Sequence, residues 1–203
     1  GAFIAMIQTD MKYVIGFSSV SHMGLVSLGF ATLTREGMIG AGVQMFSHGV
    51  MTALFFAAVG MVYDRAHTRQ IPELGGMVKI MPFAAIGFIV GGLVSMGMPG
   101  FSGFVAEFPI FMGVWGSQWL VAVIASISII ITAAYIMRNI RQVFFMPMPE
   151  ALKEHHITDI TMLDKVAITT LCLFMIGLGM FPAIMVPMIE TGVQNILRLL
   201  GGA

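Results

Sequence analysis

The sequence contains little charge and almost no cysteine. Lysine and arginine together number 10, aspartate and glutamate also number 10, and charged residues make up 10% of the 203. A soluble domain typically carries about 25% charged residues, so lipid is the expected solvent. The balanced charge leaves no basic patch for nucleic acid. The lone Cys172 lies in an apolar interval, which excludes a disulfide and a thiolate metal site.

Motifs for redox chemistry and catalysis are also missing. The sequence has no glycine-rich phosphate loop, no haem-binding pair, no cysteine cluster and no nucleophile triad. We therefore expect no cofactor and no metal in this chain, and no electron transfer through it. The KEHH segment, residues 153–156, lies in a charged, proline-containing stretch and is more typical of a solvated loop than of a metal site.

Long uncharged intervals are the main feature that is present. Five of them exceed the ~20 residues that a helix needs to cross about 30 Å of hydrocarbon. They lack the alternation of a membrane β-barrel, and helices satisfy their own backbone groups in lipid. The intervals are residues 13–34, 37–63, 80–106, 108–137 and 166–189. The predicted fold class is therefore an all-α, polytopic membrane helix bundle.

The expected helices follow from these intervals and from the residues that flank them. They are a helix tail ending at Ile7 and helices near 14–33, 39–63, 82–98, 104–116, 119–143 and 166–186. The sequence starts inside an apolar run without an initiator methionine. We therefore expect it to be the C-terminal part of a larger protein.

The segment GMPGFSG, residues 97–103, predicts a helix break inside an apolar stretch. Pro99 lacks an N–H and clashes with the preceding turn. The glycines, which lower the cost of non-helical angles, are Gly97, Gly100 and Gly103. Two interpretations are open: one crossing that is broken in the middle of the membrane, or two crossings joined by a tight turn.

The positions of lysine and arginine favour the single broken crossing, because positive residues concentrate on the cytoplasmic side of a membrane. If 82–98 and 104–116 were two crossings, five basic residues would lie on each side. One broken crossing leaves Arg35 and Arg198 on one side. It places eight on the other, namely Lys12, Arg65, Arg69, Lys79, Arg138, Arg141, Lys153 and Lys165.

Three ionisable residues lie well inside apolar intervals: His22, His48 and Glu107. Such groups are costly in hydrocarbon and by default indicate an ion or proton path. Each lies near the middle of its predicted span, so we expect all three at one depth. A set at one depth favours a relay along the membrane plane, with the histidines as water-linked intermediates.

The residues around the histidines suit a relay, because they donate, accept and hold water. They are Ser18, Ser19 and Ser21 near His22, and Gln44 and Ser47 before His48. Each ionisable residue also has a structural alternative. A neutral histidine bonded to a serine can be an interhelical contact, and a protonated Glu107 can cap the broken helix.

Three segments, in this order, resemble a known family. They are TDMKYVIGFSSVSHMG, GVQMFSHGVMTALFFAAVGMVYDRAHTRQIPELGGM and MGMPGFSGFVAEF. They are similar to the proton-translocating, antiporter-like membrane subunits of respiratory complex I, and most of all to the subunit M or chain 4 type. The resemblance covers residues 1 to about 145.

The resemblance implies an architecture of two inverted five-helix repeats, each with a broken helix. The implied parts of this chain are the second repeat in 1–145, a cytoplasmic-side loop in 146–165, and the last transmembrane helix with a short tail in 166–203. It also implies that Glu107 is the acid of the broken helix, which passes protons towards the outer half-channel, and that His22 and His48 are central-axis histidines. Lys12 would be a basic residue at the cytoplasmic end of its helix.

The implied function is that of a proton-translocating membrane subunit of NADH:quinone oxidoreductase without a redox centre of its own. NADH, flavin, iron–sulfur clusters and quinone would bind to other subunits. The expected partners are neighbouring antiporter-like membrane subunits and the lipid bilayer, in a bacterial inner membrane or else a thylakoid or mitochondrial one. The alternatives are an Mrp-type cation/proton antiporter subunit, a membrane-bound hydrogenase subunit, and a scaffold whose buried polar groups only fix helix packing.

Overall fold

The computed structural model describes residues 1–153 and 157–201, which form helices joined by short connections. Most of the KEHH segment, residues 154–156, lies outside the described residues. Within those ranges the α-helices are α1 (Ala2–Ile7), α2 (Met11–Ala31), α3 (Arg35–Ala66), α4 (Met77–Ile80), α5 (Pro82–Ser95), α6 (Ser102–Ile140), α7 (Glu150–Lys153), α8 (Met162–Met180) and α9 (Val186–Leu199). A π-helical turn, Arg141–Phe145, follows α6.

Four helices among the described residues are long and apolar enough to cross a membrane: α2, α3, α6 and α8. α5 is equally apolar in character, but its 14 residues are too few for a crossing of its own. The chain is therefore an integral membrane protein, and the all-α membrane bundle predicted from the sequence is confirmed.

α6 changes direction in its middle. Its backbone leaves helical geometry at Gln118, where φ is −150° and ψ is 82°. Phe111 and Ala125 pack in one apolar cluster, although a straight helix would hold them about 21 Å apart. The chain therefore folds back at Gln118. We call residues 102–117 the first arm of α6 and residues 119–140 the second arm.

α5 and the first arm of α6 form one broken crossing. Their course along α3 is defined by three contacts: Gly91 with Phe55, Ser102 with Ser47, and Gly113 with Gly37. These contacts move steadily towards the N-terminus of α3, so both segments run in the same direction, antiparallel to α3. A tight turn would have sent the second segment back. The single broken crossing predicted from the charges is therefore confirmed.

The break between the two half-helices is held by glycines in the left-handed region. Gly97 has a φ of 64° and Gly100 a φ of 92°, with Pro99 between them. Gly103 was predicted to belong to the break, and this is wrong, because it lies in the first turn of α6. A Cβ at Gly103 would overlap the carbonyl oxygen of Val94. This glycine therefore lets the half-helices approach each other.

One end of the bundle gathers most of the basic residues. The start of α2 meets the end of α3 where Arg69 Nε lies 2.6 Å from Asp10 Oδ2. The end of α3 meets the start of α8 where Arg65 pairs with Asp164 at 3.0 Å. Arg138, near the end of α6, donates to the loop before α2. We call this the basic end of the bundle.

The last membrane helix differs from the prediction at both ends. α8 begins at Met162 and ends at Met180, whereas residues 166–186 were expected. Thr161 and Asp164 form a reciprocal capping box at its start. α9 then packs beside the N-terminal half of α3 and against Ala106 on the first arm of α6. The tail thus covers the helix that carries the break.

Candidate functional site

The three ionisable residues predicted inside the spans come together beside the helix break. The Glu107 carboxylate oxygen Oε1 lies 3.2 Å from His22 Nδ1, and the two side chains are only 5% and 4% exposed. The ring centroids of His22 and His48 are 5.4 Å apart. Three different helices, α2, α3 and α6, therefore place one ionisable group each at the same depth.

The contact between His22 and Glu107 is direct. The sequence led us to expect His22 as a water-linked intermediate, but a separation of 3.2 Å is a hydrogen-bond distance and leaves no space for a water molecule. The reason is the packing of α2 against the first arm of α6. Gly29 of α2 lies in close contact with Ile110, one turn after Glu107.

Gln44 and Ser95 complete the surroundings of His22. The Gln44 amide nitrogen Nε2 lies 3.4 Å from both His22 Nδ1 and Glu107 Oε1. The Ser95 hydroxyl lies 3.1 Å from His22 Nε2. Both ring nitrogens of His22 are thus engaged, which fixes the orientation of the ring. We call Glu107, His22, Gln44, Ser95 and His48 the polar cluster.

His48 extends the polar cluster along α3. Its Nε2 lies 3.1 Å from the Thr52 hydroxyl, one turn further along the same helix. Its Nδ1 is buried and meets no hydrogen-bond partner within the described part of the chain. Buried polar groups of native proteins are satisfied by protein or by ordered water. His48 can therefore bind water on the side that faces away from Thr52.

Glu107 fits beside the break because residue 97 is glycine. A Cβ on Gly97 would lie 2.8 Å from Glu107 Oε2. The same position has a φ of 64°, which L side chains rarely adopt. The break therefore serves two purposes, since it interrupts the crossing and makes room for a carboxyl group there. The N-terminus of the first arm adds partial positive charge near this carboxyl group.

The electrostatics of the polar cluster depend on very few groups. Among the described residues, His22 is the one ionisable side chain within salt-bridge distance of Glu107. A lone charge is expensive at membrane depth, so the favourable states are a neutral pair or an ion pair. Transfer of one proton converts one state into the other. The arrangement can thus accept, hold and pass on a proton.

Three of the predicted residues lie away from the polar cluster. Lys12 is exposed in the first turn of α2, ten residues and about 15 Å along the helix from His22. Ser19 and Ser21 are half-buried, and in the described part of the chain their side chains make no recorded hydrogen bond. Their role in the pathway stays a prediction.

Two predicted serines hold helices together next to the polar cluster. Ser47 on α3 lies 2.8 Å from the hydroxyl of Ser102, the first residue of α6. Ser18 on α2 accepts a hydrogen bond of 2.7 Å from Tyr135 in the second arm of α6. Sequence reasoning missed Ser95, Ser102 and Tyr135. Only the position of Ser95 and Ser102 on either side of the break could have indicated them.

A membrane bundle with a buried acid at a broken helix, in contact with a histidine of another span, defines an antiporter-like membrane protein. Residues 1–132 match the family model described as NADH:quinone oxidoreductase/Mrp antiporter, TM. This chain belongs to that family. The resemblance found in the three sequence segments is confirmed.

A curated relative from Rhodobacter capsulatus gives the same result. It is named NADH-quinone oxidoreductase subunit M and is 36% identical over 198 residues, which are 97% of this chain and 38% of the relative. The chain therefore spans about two fifths of that relative's length.

Two solved structures share the fold. Respiratory complex I from Thermus thermophilus with bound NADH matches 99% of this chain and 42% of its own chain, with a TM-score of 0.92 and 26% identity. The Mrp complex from Dietzia sp. DQ12-45-1b matches 96% of this chain and 44% of its own chain, with a TM-score of 0.87. At 18% identity, this second likeness concerns the fold alone.

Proposed function

We propose that this chain is part of a proton-translocating membrane subunit of NADH:quinone oxidoreductase and has no redox centre of its own. The observation that carries the proposal is the direct contact between Glu107 and His22 inside a buried polar cluster. The relative named subunit M, at 36% identity, favours this function over the Mrp antiporter alternative. It likewise favours it over a hydrogenase subunit.

In this proposal Glu107 and His22 exchange one proton. His22 takes up a proton at Nε2 from the side of the Ser95 hydroxyl, and the imidazolium then gives its Nδ1 proton to the Glu107 carboxylate, the terminal acid of the relay. His22 is then neutral again in its other tautomer. The amide group of Gln44 contacts both the carboxylate and the ring and keeps them next to each other. His48 continues the relay along α3, and Lys12 is its basic residue in the first turn of α2.

The surroundings of the chain follow from the same proposal. NADH, flavin, iron–sulfur clusters and quinone bind to other subunits, and neighbouring antiporter-like membrane subunits are its protein partners. The membrane is a bacterial inner membrane, a choice supported by the bacterial source of the relative named subunit M. Residues 1–145 correspond to the second repeat, 146–165 to the cytoplasmic-side loop, and 166–203 to the last helix and tail.

The substitution Glu107→Gln tests the proposal in the assembled complex. Glutamine keeps the shape and packing of the side chain but removes the titratable proton. We expect fewer protons pumped per NADH oxidised in reconstituted vesicles. Glu36→Gln, at the exposed start of α3, is the matched control and should pump normally.

A packing role for Glu107 predicts a different outcome. If Glu107→Gln assembles and pumps as many protons per NADH as the Glu36→Gln control, the acid does not take part in translocation. The scaffold alternative would then be correct.

A further inference from the structure

A second chain of polar groups leaves the polar cluster through Tyr135. This side chain is completely buried in the second arm of α6, and its hydroxyl donates to Ser18 at 2.7 Å. Ser18 and His22 are one turn apart on the same face of α2. The Ser95 hydroxyl, which bonds His22, also lies close to the Tyr135 hydroxyl. Tyr135 therefore bonds one serine that lies a turn away from His22 and lies close to the serine that bonds His22.

Asn139 lies one turn beyond Tyr135, in the direction of the basic end. It is 1% exposed, and neither its amide oxygen nor its amide nitrogen has a hydrogen-bond partner among the described residues. Buried amides of native proteins are almost always satisfied, and bound water does this where no protein group is near. Asn139 is thus a position for water between apolar helices.

The surface at this end of α6 contains a cavity with both polar and apolar residues in its wall. Gln8, Thr9, Arg138 and Gln142 are among the residues around its volume of about 300 Å³. Arg138 and Gln142 flank Asn139 along the chain. The π-helical turn Arg141–Phe145 also begins here, and widened turns of this kind are frequent at functional sites. Two residues of the cavity wall therefore lie within one turn of Asn139 along the chain.

We propose that Asn139, Tyr135 and Ser18 form a water-linked proton uptake route from the basic end to His22. Water held at Asn139 accepts a proton from water at the basic end and passes one to the Tyr135 oxygen, as the tyrosine gives its own proton to Ser18. Ser18 in turn releases a proton towards His22 through water or through Ser95. Each hydroxyl accepts one proton and loses one, so the net result is one proton delivered to His22 Nε2. Only the transfer of the proton to His22 rests on the proposed function.

Water access to Asn139 can be measured without any pumping. We would introduce Asn139→Cys into the complex in a Cys172→Ser background and add a small, membrane-impermeant thiol reagent from either side of the membrane. The matched control is Ile136→Cys, because Ile136 is equally buried on the same arm but packs against Gly92. Modification is read from the mass of this chain.

We expect Asn139→Cys to react at least tenfold faster than Ile136→Cys, and only with reagent added at the basic end. Equal rates for the two cysteines, or faster reaction from the opposite end, would overturn the uptake route. This outcome is independent of Glu107→Gln, so a dry Asn139 would leave the proposed function standing.

The conservative substitution Tyr135→Phe tests the proton step itself. Phenylalanine fills the same space, and Tyr13→Phe, on the exposed face of α2, is the matched control. We expect Tyr135→Phe to lower the protons pumped per NADH, with complex assembly equal to that of the control. If Tyr135→Phe pumps like Tyr13→Phe while Glu107→Gln pumps less, the relay exists but is not supplied through Tyr135.

Discussion

Gly97 is the residue on which the position of Glu107 depends. Its backbone has a φ of 64°, and its missing Cβ leaves space for the carboxylate oxygen Oε2. Gly100 has the same backbone requirement, with a φ of 92°, but nothing lies within 4 Å of the position of its Cβ. A substitution at either glycine therefore introduces backbone strain, but only a substitution at Gly97 also removes the space that Glu107 occupies.

The prediction at Gly97 compares Gly97→Ala with Gly100→Ala. Each should cost roughly 1–2 kcal/mol of backbone strain, because alanine disfavours a positive φ. Only Gly97→Ala should also displace the Glu107 carboxylate and lower the protons pumped per NADH. Two measurements are needed: the protons pumped per NADH in reconstituted vesicles, and the thermal unfolding of the purified complex. Equal pumping by the two variants would show that Gly97 has no specific relation to the acid.

Part of the site can be predicted from single residues, and part cannot. His22, His48 and Glu107 stand out because ionisable side chains are rare within apolar spans. Tyr135 and Asn139 carry no such signal, since one neutral polar residue on an apolar helix can face lipid, a neighbour or a cavity. Only the packing of the second arm of α6 against α2 decides which of these surroundings each side chain has.

At the scale of the elements, three helices begin earlier in the chain than the sequence predicted. α2, α3 and α8 begin at Met11, Arg35 and Met162, whereas uncharged intervals indicated 14, 39 and 166. Each start is capped by a polar side chain, from Asp10, Thr34 and Thr161 respectively. Charges are tolerated in the first turn of a helix, so a criterion based on uncharged residues removes that turn.

The break was predicted more accurately than these helix starts, because its cause is local. A proline between glycines favours a helix break through its own local chemistry. The role of Gly103 is different, since it depends on how closely Val94 approaches from the other half-helix. No local rule on the sequence distinguishes a glycine needed for its φ from a glycine needed for close packing.

Packing of α3 against the first arm of α6 leads to the prediction for this scale. A Cβ on Gly40 would lie 2.7 Å from the Ala106 carbonyl oxygen, next to Glu107. Gly49, on the same helix, has nothing within 4 Å of its Cβ position. We expect Gly40→Val to destabilise the complex by roughly 1–3 kcal/mol and to lower pumping.

Gly49→Val is the matched control for this substitution, with the same cost of a β-branched residue in a helix. Thermal unfolding of the purified complex measures both variants. The close packing of these two helices would be refuted if Gly40→Val and Gly49→Val unfolded at the same temperature.

On the scale of the whole molecule, charge placement carried more information than hydropathy. Hydropathy alone left the segments 82–98 and 104–116 open to two topologies. The bias of lysine and arginine selected one of them, and the contacts of α5 and the first arm along α3 agree with it. The orientation of a membrane protein depends on the basic residues of all its loops. A count over the whole chain can therefore decide the number of crossings where the local sequence cannot.

The arrangement of the helices in the whole molecule also explains the course of the proposed uptake route. α2 and the second arm of α6 both reach the basic end, and the cavity there lies between the residues that precede α2 and the end of the second arm. The break places Glu107 in the middle of the bundle, where it meets these two elements through His22 and Ser18. In the proposed route, a few polar side chains and bound water join the surface cavity to the buried acid.

The central claim is that Glu107 changes its protonation during turnover, and infrared difference spectroscopy tests it most directly. The spectrum compares the resting complex with the complex oxidising NADH, for the unmodified protein, Glu107→Gln and Glu36→Gln. The account predicts a carboxyl C=O band that changes on turnover in the unmodified protein and in Glu36→Gln, and that is missing in Glu107→Gln. The same carboxyl bands in all three proteins would contradict it.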